Sequence, residues 1–424
     1  MVLERIASDT RNIDLTQYNS MNLKIEVYLL KFFKIVAVVS FIIGFFYMVR
    51  RPEGSGDELL FLHDLEYIKS NGWIEAIKKG ISIPYMILCY PLSFILPNFI
   101  ALRLVNVLIF IFLLVYFKKF GQIKNKNFYY YYLFFSARCW FLLGTNDTLF
   151  IVSQIVFFNE VYKILEKKDD IKLQLMWGAL VISFFTRELA LVYLPIVIIG
   201  IYLATKSKSD IFKNIFYPSI LALVLIFCNL PSLMANHKFS FDSKLPPKEV
   251  QATWPQRQYL AQILVNEGKL QNMSHPSWEE TDLYLEKNGK NSLPSSLSQS
   301  IFFNFKLTVM EFFKNFSEVL QDSVRQTGLI TIIIFLIFFY EIFNKRLSLN
   351  LFLPFINILM VSIFSFIIIS YVETRWLISV FILGILYFSD LEKLNKINRN
   401  LILTNLFVLV LISFYGIYKM MLKF

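Results

Sequence analysis

The chain has 424 residues, of which 56% are hydrophobic, 17% are charged and 45 are Phe. No water-soluble core of this size needs so much apolar side chain, so composition excludes a soluble domain and points to an all-α polytopic membrane protein. The net charge of +11 invites a nucleic-acid partner. The lysines, however, fall in short stretches between apolar runs, the signature of membrane orientation rather than of a binding stripe, which argues against nucleic acid. Cys89, Cys139 and Cys228 lie in apolar segments without metal or disulfide spacing, and no glycine-rich phosphate loop occurs.

Residues 1–32 are polar and read as a cytoplasmic N-terminal segment. The apolar run 33–49 has no small-residue cleavage site after it and reads as an anchor. Further candidate spans lie near 100–117, 128–145, 148–163, 174–187, 189–205 and 214–234, forming with the first an N-terminal module over 33–234. After a polar stretch at 235–327 come 328–344, 351–371, 375–390 and 400–420, the C-terminal helices of 328–424. The expectation is therefore a bundle of about 11 transmembrane helices. Interfacial helices would occupy the first loop (50–99), and 235–327 would be an extramembrane loop with a few helices.

The segment Ile81–Pro97 decides the topology. It is apolar but holds Pro84, Pro91 and Pro97, and it is read as interfacial or re-entrant rather than spanning. Lys118, Lys119, Lys124, Lys126, Lys163, Lys167, Lys168, Lys172, Lys206, Lys208, Lys213, Lys345, Arg346, Lys393, Lys396 and Arg399 then share one side, while the short turns opposite hold only Arg187 and Arg375. That bias places the N-terminus inside and the loops 50–80 and 235–327 outside, with Arg50 and Arg51 as an exception.

The outer turns read Gly54-Ser55-Gly56-Asp57-Glu58, His63-Asp64, Thr145-Asn146-Asp147-Thr148, Thr186-Arg187-Glu188-Leu189 and Val372-Glu373-Thr374-Arg375. Each has an ordinary reading beside a functional one. Asp57-Glu58 is a solvated pair or a working one. Asp147 caps the helix that follows it or faces a substrate. Arg187-Glu188 and Glu373-Arg375 tie helix ends together or bind ligand. His63 is a surface residue or a substrate contact. Arg103, near the outer end of its helix, snorkels or binds phosphate. Arg138, in the middle of an apolar segment, must face the bundle interior. Gathered on one face, these groups suit a lipid-held anionic substrate, because Arg forks bind phosphate two oxygens at a time and a shielded carboxylate acts as a base.

In order along the chain, GDELLFLHDLEYIKSNGW, ISIPYMILCYPLSFIL, ALRLVNVLIF, GTNDTLF, FFTRELALVYLP and ETRWLISVFILGILY resemble the GT-C glycosyltransferases, in the branch of protein O-mannosyltransferases and aminoarabinose transferases. The resemblance covers about 50–205 and 350–390, and order and spacing carry it rather than any single motif. The His-Pro-Pro or Lys-Pro-Pro usual in that branch is Ile83-Pro84 here, and the usual Lys of the fifth-helix turn is Arg187.

The resemblance implies an inverting membrane glycosyltransferase that moves a sugar from a polyprenyl-phosphate donor to a glycan, lipid or protein acceptor at the outer face. Asp57 would be the general base, with Glu58 and Asp147 orienting the acceptor or a metal. Arg187, Arg375 and Arg103 would hold the donor phosphate, and His63, Asp64, Glu188, Glu373 and Arg138 would be further substrate contacts. An oxygen-ligated Mg²⁺ or Mn²⁺, with Asp57 and Asp147 as ligands, is compatible with it. Two other readings compete: a polysaccharide polymerase or ligase acting on lipid-linked oligosaccharide, and a non-enzymatic transporter of lipid-linked saccharide. The Lys-, Asn- and Phe-rich, His-poor composition points to a bacterial cytoplasmic membrane.

Overall fold

The computed structural model describes residues 27–120, 128–137, 142–168, 170–208, 210–241, 250–272, 274–345, 348–367 and 372–422. Every regular element among them is helical. Helix α1 (Val27–Val49) is followed by α2 (Glu58–Lys79), α3 (Ile83–Cys89), α4 (Asn98–Lys119), α5 (Phe128–Ala137) and α6 (Asp147–Leu165). Next come α7 (Leu173–Thr186), α8 (Ala190–Ser207) and α9 (Phe216–Asn236). The polar region contains α10 (Trp254–Asn266), α11 (Trp278–Asn288), α12 (Leu297–Phe303) and α13 (Phe305–Thr327). The chain ends with α14 (Ile330–Phe343), α15 (Phe352–Phe366), α16 (Ile378–Lys393) and α17 (Arg399–Met421).

Among the described residues, eight helical stretches are long and apolar enough to cross a bilayer, those of α1, α4, α6, α8, α9, α15, α16 and α17, and the bent pair α13–α14 makes a ninth if it is one span. This is fewer than the 11 expected, for identifiable reasons. The run 174–187 forms only the 14 residues of α7, short of the roughly 20 that a hydrocarbon core requires. The run 328–344 forms the 14-residue α14, joined to α13 at a 118° bend. At that bend Gly328 adopts φ 63°, a left-handed conformation that costs glycine little, and a Cβ there would lie 2.6 Å from Asn405 Oδ1. Of the run 128–145, residues 138–141 lie outside the described residues, and Arg138 and Cys139 with them.

Ile81–Pro97 yields seven residues of α3 and a short 3₁₀ turn at Leu92–Phe94, far too little to span. Leu88, Phe94 and Ile95 are exposed, as suits an apolar segment lying at a membrane surface.

Helix α6 is the axis of the bundle: all 19 of its residues are buried, and α7, α8, α16 and α4 pack around it. Around it an aromatic-rich core includes Tyr193, Phe158, Phe352 and Phe364. Helices α4, α6, α8 and α16 end in Lys118–Lys119, Lys163, Lys206 and Lys393 respectively. Their opposite, N-terminal ends converge on one polar cluster.

The region before α13 is built differently. Helices α10 and α11 open on capping boxes (Thr253 with Gln256, Ser277 with Glu280), and Ser296 and Asn304 cap α12 and α13. A small core of Ala252, Tyr259, Leu260, Leu285 and Leu293 holds the region together. Caps of about 1 kcal/mol each help define short helices that bury little apolar surface.

Candidate functional site

Asp57 and Glu58 are adjacent, yet the fold sends them to different environments. Glu58, the first residue of α2, is fully buried. Its Oε1 accepts from Arg103 Nε (2.7 Å) and Gly144 N (3.1 Å); its Oε2 accepts from Arg103 Nη2 (2.7 Å) and Gly54 N (3.1 Å). Arg103 spends its remaining donors on backbone carbonyls: Nη1 on Arg51 (2.9 Å) and Val49 (3.3 Å), Nη2 on Pro52 (2.9 Å). All five N–H groups of the guanidinium are thereby used.

This corrects two expectations. Glu58 is not placed to orient an acceptor, and Arg103 has no donor left for phosphate. Together they clamp the chain leaving α1 onto α4 and the turn before α6. Gly144 is required for the clamp, since a Cβ there would lie 2.8 Å from Glu58 Oε1 and 2.6 Å from Leu102 Cβ. Arg50 stacks over Phe46 at 4.1 Å, while burial and the nearby Arg103 push the Arg51 guanidinium below the usual arginine range. Of the two residues that break the lysine pattern, Arg51 is thus half-buried while Arg50 stays exposed.

With its neighbour fixed, Asp57 projects from the start of α2 and meets Arg375 Nη1 at 2.5 Å. Arg375 Nη1 also reaches Asp147 Oδ2 at 3.2 Å, and its Nε donates to Glu373. Arg187 pairs with the other oxygen of Asp147. Asp57, Asp147, Arg187, Arg375 and Glu373, drawn from four separate turns, therefore form one cluster. Its side chains are between 6% and 28% exposed, so it is shielded without being sealed. Asp147 is not a cap: Asn146 precedes the helix without a side-chain capping bond, and the Asp147 carboxylate faces the arginines.

Residues that sequence reasoning did not single out hold these groups in place. Asn106 Nδ2 donates to the carbonyls of Leu143 and Thr145 (2.9 Å for the latter), fixing the turn before Asp147. Ser82 Oγ (2.7 Å) and Asn146 Nδ2 (3.0 Å) donate to the Thr186 carbonyl, next to the extended backbone of Arg187. Asp322 Oδ2, on α13, accepts from Thr374 Oγ1 at 2.8 Å, and Tyr193 donates to the Trp376 carbonyl. The turn bearing Arg375 is thus held from both sides. An Asn in the middle of an apolar run, as at position 106, is the one signal that could have been read in advance.

The other candidates stand apart. His63 and Glu188 are exposed, and Asp64 is buried on α2. Where a divalent cation would bridge Asp57 and Asp147, the Arg375 guanidinium lies between the two carboxylates instead, and among the described residues no group of three or more His, Cys, Asp or Glu side chains is arranged to hold a metal ion.

Between α4, α6 and α7 runs an apolar cavity of about 440 Å³, within the usual size of ligand pockets, and none of the five charged side chains lines it. Leu149 lines it two residues beyond Asp147, and Ile182 lines it one turn before Thr186. Leu92, Val105 and Ala179 continue the wall between α4, α6 and α7, and Gln174 marks the far end. In comparisons with family models, curated proteins and solved structures, nothing matches the chain.

Proposed function

We propose that the protein is a membrane glycosyltransferase that moves a sugar from a prenyl-phosphate carrier to a hydroxyl acceptor. The observation that supports this most is the partly shielded cluster of Asp57, Asp147, Arg187 and Arg375, on helices whose neighbouring turns also line an apolar cavity between α4, α6 and α7. A substrate fitting that pair of environments has an anionic head and a long apolar tail. Two guanidiniums in a shielded, low-dielectric setting suit a phosphate and the charge that grows on it as it departs. Carboxylates beside them supply a base.

In this reading the acceptor oxygen attacks the anomeric carbon and Asp57 takes its proton. The bond from that carbon to the phosphate oxygen breaks, and the prenyl phosphate leaves with its charge held by Arg187 and Arg375. Asp147 keeps the two arginines at a fixed spacing. The configuration at carbon inverts, since the acceptor enters opposite the leaving oxygen. The compartment faced by the cluster is taken from the lysine bias to be the outer one.

Mass spectrometry of lipid extracted from the purified protein tests this. The native protein is expected to carry a sugar-bearing prenyl phosphate, and the Arg187→Ala, Arg375→Ala double variant to have lost it. Recovery of bulk phospholipid alone from both would defeat the reading.

A further inference from the structure

Among the described residues the cluster is not electrically balanced. Three carboxylates (Asp57, Asp147, Glu373) face two guanidiniums (Arg187, Arg375), and both guanidiniums are already engaged. A lipid phosphate brings at least one further negative charge, so a carboxylate has to yield before phosphate can take the two-donor Nε edge of Arg375.

The structure distinguishes the three carboxylates. Asp147 is the most buried, at 6%, and its two oxygens are shared between Arg187 and Arg375, with Thr145 Oγ1 a further donor at 3.4 Å. Asp57 sits on backbone pinned by the clamp at the next residue, Glu58. Glu373 has the longest side chain and lies on extended backbone (φ −72°, ψ 111°) just before a 3₁₀ turn. Its carboxylate meets only Arg375 Nε among the described residues, and it is 21% exposed, which leaves room to swing away. The Nε edge of a guanidinium, together with one Nη, is the edge that binds two oxygens of a phosphate at once. Glu373 blocks that edge.

We propose that Glu373 is an internal stand-in for the substrate phosphate: it occupies Arg375 Nε in the ligand-free protein, and the incoming prenyl phosphate displaces it. Glu373 is then a residue that sets donor affinity, weakening binding by competing for the same arginine. The proposal rests on the reading of Arg375 as a phosphate-binding residue. It also gives Glu373 a sign opposite to that of its neighbours: removing its charge tightens binding instead of abolishing it.

Binding of geranylgeranyl phosphate to purified protein, measured by calorimetry in detergent, tests the sign. Glu373→Gln is expected to lower Kd roughly two- to fivefold, as loss of a partly exposed competing ion pair would. Glu373→Ala should shift it the same way, and Arg375→Ala should remove binding. The melting temperature of each variant reports that it is folded. Equal or weaker binding by both Glu373 variants, with Arg375→Ala still defective, overturns the stand-in role and leaves the phosphate site standing. No binding by the native protein, or binding unaffected by Arg375→Ala, overturns both.

Discussion

Near the lysine-rich end of α6, Glu160 and Lys163 are both buried and meet at 2.9 and 3.1 Å. The Tyr116 hydroxyl (2.6 Å) and the Lys172 backbone N–H (2.7 Å) complete the Glu160 carboxylate, and Asn159 donates to the Tyr116 oxygen (2.7 Å). At the other end, Asp147 sits in a cluster that, among the described residues, holds three carboxylates and two guanidiniums and is partly open. Both ends bury charge within one helix. The first is neutral, saturated and closed; the second is unbalanced and accessible. Balance and accessibility separate a scaffold from a site better than burial does, since a buried, satisfied pair chiefly positions what it touches. The Glu58–Arg103 clamp belongs with the first kind although it adjoins the second.

Substitutions at the two ends should therefore fail in different ways. The largest effect on chemistry is expected from Asp57→Asn, which should reduce sugar transfer by about 10²–10⁴-fold, the usual contribution of a general base, at an unchanged melting temperature. Near wild-type transfer by this variant would remove the base from the proposal. Glu160→Gln should do the reverse. It leaves Lys163 buried beside a neutral partner, costing about 3–5 kcal/mol in denaturant unfolding, while activity per folded molecule persists. Lost transfer at full stability would instead make the second cluster functional and erase the contrast.

A smaller effect should follow Thr374→Val. It removes one hydrogen bond to Asp322, worth about 0.5–1.5 kcal/mol, and loosens the turn carrying Arg375. The expected result is a severalfold rise in donor KM with kcat little changed, rescued by Thr374→Ser, which restores the hydroxyl. A fall in kcat alone, or no rescue by Ser, would show that this hydroxyl does not position the arginine.

Much of this contrast was legible in the sequence, and some was not. Apolar runs identify a helical membrane protein, and the lysine bias with a non-spanning Ile81–Pro97 groups Asp57 with Asp147, Arg187 and Arg375; these four side chains do meet. The runs at α7 and α14 form helices of only 14 residues each, because an apolar stretch signals burial in lipid or in protein without saying which. The division of labour between Asp57 and Glu58 was hidden. At a helix start, consecutive side chains point about 100° apart, so adjacent carboxylates face different surroundings. Asn106, Ser82 and Asp322 were missed because each acts on a distant turn, at a carbonyl or a hydroxyl that no local pattern marks.

The Glu58 clamp also bears on how the chain assembles. Its carboxylate needs Arg103, 45 residues later, and the Gly144 N–H, 86 residues later. During synthesis the segment after α1 therefore leaves the ribosome long before the groups that fix it. Asp57 takes its final position only when α4 and the turn ahead of α6 have arrived. The candidate base is placed early in the chain and set late in biogenesis, so a truncated chain ending before α6 would hold the residue without the site.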